Sequence, residues 1–143
     1  MARISKHLLP PDDLHKLFDQ LSAITSRLTP TTADAFLNEL LGPEEKIMLT
    51  KRLAAIVMYT KGYSSYRVWV TLKLSPATAA TIQDRYQRGE YTHIQKILTV
   101  HKADYKKFWN VLEVILSGGL PPIVGPGRWG NNPAVKGSRR NKK

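Results

Sequence analysis

Prolines and glycines punctuate this chain at Pro10-Pro11, Pro30, Gly42-Pro43, Gly62, Pro76 and Gly89, and between them apolar residues recur at helical spacings. Proline lacks the amide that a helix interior needs, whereas glycine accepts the left-handed backbone that closes a helix C-terminus. Residues of these two kinds therefore bound helices. A chain cut up in this way is expected to be all-α, built from short amphipathic helices.

The first segment sets Leu14, Leu17, Phe18, Leu21, Ile24 and Leu28 on one face behind Asp12 and Asp13, which suit the positive end of the helix dipole, with Pro30 as the stop. A second helix is expected after Thr31 or Thr32, carrying Phe36, Leu37, Leu40 and Leu41. Pro43 stands at or just before the first turn of a third, followed by Glu44 and Glu45 and running through Leu49, Leu53, Ile56, Val57 and Tyr59 to a glycine stop at Gly62. The stretch SSYRVWVTLKL would suit a strand by propensity alone, but Val68, Trp69 and Leu72 fit a helical face between helical neighbours, so a helix is expected. Residues 90–116 place Ile94, Ile97 and Leu98, then Tyr105, Phe108, Trp109, Leu112, Ile115 and Leu116 at helical spacing, in one helix or two. The aromatic stripe reads as core or dimer contact.

With 143 residues the chain suits one domain, expected over 1–116, followed by a tail over 117–143 rich in Gly, Pro, Asn and cations. Such a tail buries too little apolar surface to offset chain entropy and is expected to be disordered. No apolar run approaches the length of a membrane span, and the N-terminus lacks the apolar core of a secretory signal, so no membrane partner is expected. There is no cysteine, which excludes disulfides, thiolate metal sites and a cysteine nucleophile and fits a cytoplasmic setting.

The net charge of +11 is unevenly spread. Residues 1–43 carry four Lys/Arg against five Asp/Glu, residues 44–116 twelve against six, and residues 117–143 six against none. Basicity concentrated in the middle and tail favours a polyanionic partner through phosphate neutralisation and counterion release, although it also serves solubility.

Residues 65–85 carry the most informative pattern. A short helix from Ser65 to about Lys73 is followed by Ser75, placed to cap the next helix, and by Pro76 at its first position. With that cap, Ala79 and Ile82 face Val68, Trp69 and Leu72, while Pro76, Ala77, Ala80 and Thr81, with Gln83 and Asp84, form the opposite face. Two short helices joined in this way over residues 64–86 read as a helix-turn-helix, whose second helix enters the DNA major groove; an ordinary capped pair in a helical bundle is the plainer alternative. Small side chains at the front of such a helix allow close approach, with methyl groups for thymine and hydroxyls for bases or phosphates. Pro76, Ala77, Ala80 and Thr81 are thus the expected base contacts, and Ser75, Thr78, Arg67, Lys73 and Arg85 the expected phosphate contacts, with Arg88 close by.

Residues 36–91 resemble the tryptophan operon repressor superfamily. The resemblance rests on Phe36-Leu37, Leu40-Leu41, Pro43-Glu44-Glu45, Arg52, Gly62, Ser65-Tyr66-Arg67, Leu72, Leu74-Ser75 and Ala77-Thr78. It implies an all-α, Trp repressor-like bundle that forms an intertwined homodimer, with two recognition helices on successive major grooves of a roughly palindromic operator. It also implies a bacterial, nucleoid-associated transcriptional regulator. Two departures stand out. The usual glycine of the turn is Lys73, for which a left-handed backbone is more costly. The threonine and two arginines that hold tryptophan in ligand-binding members correspond to Lys51, Lys61 and Thr81, which cannot reproduce a bidentate guanidinium contact to a carboxylate. Tryptophan is therefore not expected as corepressor.

Four histidines at 7, 15, 93 and 101 show no metal-site spacing, and no phosphate-binding or nucleophile motif occurs, so no cofactor, metal or enzymatic activity is expected. Arg128 and Trp129 could add stacking or minor-groove contacts from the tail. Two rival readings remain: a nonspecific nucleic-acid-binding or ribosome-associated protein that binds through its basic tail, and a helical interaction module that docks through Tyr105, Phe108 and Trp109.

Overall fold

The computed structural model describes residues 6–118, and all regular structure among them is helical. Of the tail expected over 117–143, Ser117 instead belongs to the last helix and Gly118 caps it, while residues 119–143, Arg128 and Trp129 included, lie outside the described residues. Seven helices follow in order: α1 (Pro11–Thr25), α2 (Pro30–Leu40), α3 (Pro43–Thr60), α4 (Ser65–Leu72), α5 (Pro76–Gln87), α6 (Thr92–Val100) and α7 (Lys102–Ser117). The SSYRVWVTLKL stretch is helical, and the segment after residue 90 forms two helices broken at His101. The chain forms two compact units, divided after Leu53 within α3.

In the first unit the start of α2 differs from expectation. Pro30 does not end α1, which stops at Thr25; it opens α2 instead. The cause is local: Thr29 and Thr32 form a reciprocal capping box, the Thr29 amide donating to Thr32 Oγ1 at 2.8 Å and the Thr32 amide to Thr29 Oγ1 at 3.3 Å. Leu28 consequently falls outside α1. At the start of α3, Glu45 reaches back to accept from the Gly42 amide at 3.2 Å, so its role there includes a hydrogen bond as well as a favourable dipole interaction. Neither α1 nor α2 contains a buried residue, and the stripe that includes Leu14, Leu17, Phe18, Leu37 and Leu40 is exposed.

The second unit holds the core. The end of α3 contributes Ala54, Ala55, Ile56, Val57, Met58 and Tyr59, joined by Val68 and Leu72 of α4, Ala79 and Ile82 of α5, Leu74 and Tyr91 from the connections, and Leu112 and Leu116 of α7. Helix α3 ends in a Schellman motif: Gly62, at φ +86°, donates to Tyr59 O at 2.9 Å, and Tyr63 donates to Met58 O at 3.1 Å. A related closure ends α4, but there the left-handed residue is Lys73, at φ 54° and ψ 45°. Its amide and that of Leu74 both return to Trp69 O, the latter at 3.1 Å, while the Leu74 side chain is buried. The turn is thus closed through the left-handed backbone usual for glycine, with Lys73 bearing a cost of about 1–2 kcal/mol.

Candidate nucleic-acid interface

The α4–turn–α5 unit begins with Ser64, which caps α4 by accepting from the Arg67 amide at 3.2 Å. Val68 and Leu72 turn one side of α4 inward, and after the Lys73 turn the backbone re-enters a helix at Pro76. Ser75 caps α5 as its position suggests: its Oγ accepts from the Thr78 amide at 3.0 Å and donates to Thr78 Oγ1 at 2.8 Å. Ala79 and Ile82 pack inward. Tyr59 fixes α5 from α3, its hydroxyl donating to Ala79 O at 2.7 Å and its ring lying 6.0 Å from that of Tyr86. Burial pushes the Tyr59 phenol above its ordinary value, with a hydrogen bond to Ser65 opposing in part.

With that inner face fixed, the outer face presents Pro76, Ala77, Ala80, Thr81 and Asp84 to solvent, and Gln83 is half-buried. The four expected base contacts therefore lie together on one exposed surface. Thr81 Oγ1 donates to Ala77 O at 2.9 Å. Asp84, the first acid of the helix, is held by Arg88 across a 2.8 Å ion pair.

The expected phosphate contacts differ in setting. Ser75 and Lys73 are exposed at the turn and Thr78 is half-buried. Arg67 is half-buried, with its Nε out of solvent, and desolvation holds its guanidinium below its ordinary value against opposing effects of Tyr63 and Tyr66. Arg85 is clamped: Nε donates to Glu90 Oε2 at 2.6 Å, and the guanidinium lies 5.1 Å over the ring of Tyr91. The hydrogen bond from Arg85 draws the Glu90 carboxyl below its ordinary value, with Arg88 assisting from 3.6 Å. Glu90 escaped the sequence reading because it lies beyond Gly89, out of helical register with Arg85. Its only signal was an acid closing a basic stretch.

The aromatic stripe of α7 is half-buried. The Trp109 ring lies 6.0 Å from that of Tyr63, and Lys61 Nζ sits 5.1 Å from the Trp109 ring and 5.3 Å from that of Tyr105. Lys61, one of the three positions matched to a corepressor site, thus faces aromatic rings of its own chain. Among the described residues no cluster of three or more His, Cys, Asp or Glu could hold a metal, and no helix is long and apolar enough to cross a membrane.

No family model, curated protein or solved structure matches the chain.

Proposed function

We propose that the protein is a sequence-specific double-stranded DNA-binding transcriptional regulator of the Trp repressor-like kind, acting as a homodimer in the bacterial cytoplasm. The observation that carries this reading is the α4–turn–α5 unit. Its second helix is capped by Ser75 and anchored through Ala79, Ile82 and the Tyr59 hydrogen bond, and its front is an exposed face of small residues. A recognition helix needs this combination of a rigid back and an unobstructed front. The basic character of residues 44–143 supplies attraction for phosphate. Lys73, Ser75, Thr78 and Arg85, with Arg67 behind them, would position the helix, and Pro76, Ala77, Ala80 and Thr81 would meet the bases.

The homodimer has its own support in the exposed apolar stripe of α1 and α2. Isolated helices of this length are marginal in water, and an unpaired stripe of this kind calls for a partner surface. A second copy would also supply the second recognition helix. L-Tryptophan is not the effector in this reading, because Lys61 is engaged with Tyr105 and Trp109 and Thr81 carries no charge; calorimetric binding at micromolar concentration would contradict that. The interaction-module reading is less favoured, since Trp109 and Tyr105 already have partners within the chain.

The test is selection of bound duplexes from a random library at about 150 mM salt, where phosphate-only binding is weakened. Enrichment of a palindromic motif supports the proposal, most clearly if Thr81→Glu abolishes it and removal of residues 118–143 does not. Retention without enrichment supports the nonspecific reading instead.

A further inference from the structure

The hydroxyl at the centre of the exposed α5 face has a defined polarity. A threonine hydroxyl has one hydrogen and two lone pairs. At Thr81 the hydrogen is committed to Ala77 O, one turn back, at 2.9 Å, so at this exposed position the oxygen keeps its lone pairs for accepting. Thr78 is arranged in the opposite sense. Its Oγ1 accepts from Ser75, leaving its own hydrogen to donate, but it sits half-buried at the edge of the helix start. The rest of the exposed front ahead of Asp84 is methyl and methylene: Pro76, Ala77, Ala80 and the Thr81 methyl itself. Ahead of Asp84, α5 carries no lysine or arginine, and Asp84 is tied to Arg88.

Base edges sort sharply against such a surface. Guanine offers the major groove two acceptors and is matched by the paired donors of arginine or lysine, which this front lacks. Adenine and cytosine each offer an amino donor, but only adenine's partner, thymine, adds a methyl group to match the surrounding methyls. We infer that Thr81 is the specificity-determining residue of α5: it accepts from the adenine N6 amino group while the surrounding methyl groups contact the thymine methyl of the same pair or its neighbour. Each half-site therefore contains an A·T pair opposite Thr81. This inference rests on the DNA-binding reading above and adds to it the base pair read and the atoms that read it.

Three full-length proteins test it by selection from random duplexes at about 150 mM salt: the wild type, Thr81→Val and Thr81→Ser. Thr81 is exposed, so both variants are expected to keep the wild-type helical circular dichroism. Valine keeps the shape and removes the acceptor, and the preference for one A·T pair per half-site should drop about tenfold. Serine keeps the acceptor and removes the methyl; it should retain the adenine preference but lose the sensitivity that the wild type shows when uracil replaces thymine. A wild-type motif built only of G·C pairs, or an unchanged A·T preference in Thr81→Val, would overturn the inference while leaving sequence-specific binding intact. Absence of any enriched motif in all three proteins would overturn the DNA-binding reading and this inference with it.

Discussion

The two units of this chain handle their apolar residues in opposite ways. From Ala54 onward, helices of no great length bury Ile56, Val57, Met58, Val68 and Ala79 almost completely. In α1 and α2, with a comparable supply of leucine and phenylalanine, no residue is buried, and Phe18 is 61% exposed. Amphipathic periodicity thus identifies the face that wants burial without saying which chain provides the cover. The buried core residues all belong to the second unit; the first has the sequence of a packed structure and the exposure of half of one.

That contrast is most strongly tested in the first unit. Phe18→Asp on a solvent-facing helix would change monomer stability by no more than about 0.5 kcal/mol. If a second copy covers the stripe, the same change should weaken dimerisation about a thousandfold, roughly 4 kcal/mol, as seen by sedimentation across a concentration series. In the second unit, Ile56→Ala should lower unfolding free energy by about 2–5 kcal/mol in urea titration, because the site is closed on all sides within one chain.

Smaller changes probe the join between α4 and α5. Lys73→Gly should raise stability by about 1 kcal/mol by relieving the left-handed backbone, while removing one cation from the proposed phosphate-facing turn. Stability should therefore rise as duplex affinity falls, a divergence that separates the backbone role of residue 73 from its charge. The pH dependence should be milder. Burial raises the Tyr59 phenol above its ordinary 10.0, so the native state holds that proton more tightly than the unfolded chain. Its contribution is complete below pH 10.0 and is lost as pH rises through the raised value, and Tyr59→Phe should remove that alkaline decline.

Much of the fold was legible because its punctuation is chemical. Ser75-Pro76 can hardly be other than a helix start, Gly62 marks the end of α3, and the in-and-out alternation around Ala79 and Ile82 follows from the cap. Where legibility failed, local hydrogen bonding decided between options that periodicity leaves equal. Leu28 fits the α1 stripe, but the Thr29–Thr32 box claims the backbone for α2. Lys73 stands where glycine would adopt the left-handed backbone at less cost, yet the burial of Leu74 and the paired bonds to Trp69 O hold the turn closed. In the candidate interface, the exposed front of α5 was readable, whereas the clamp on Arg85 by Glu90 and Tyr91 was not, since it depends on a chain reversal at Gly89 that no helical spacing reports. Exposure of α1 and α2 was invisible to the sequence for a simpler reason: an apolar stripe looks the same whichever chain covers it.

The measurement that bears most directly on the account is the molar mass of the full-length protein in solution, by sedimentation equilibrium at micromolar concentration. Because α1 and α2 hold no fully buried residue and leave Leu14, Leu17, Phe18, Leu37 and Leu40 exposed, the account predicts twice the 16.1 kDa chain mass, falling to the single-chain value in Phe18→Asp. A wild-type mass of 16.1 kDa throughout the concentration range would contradict it.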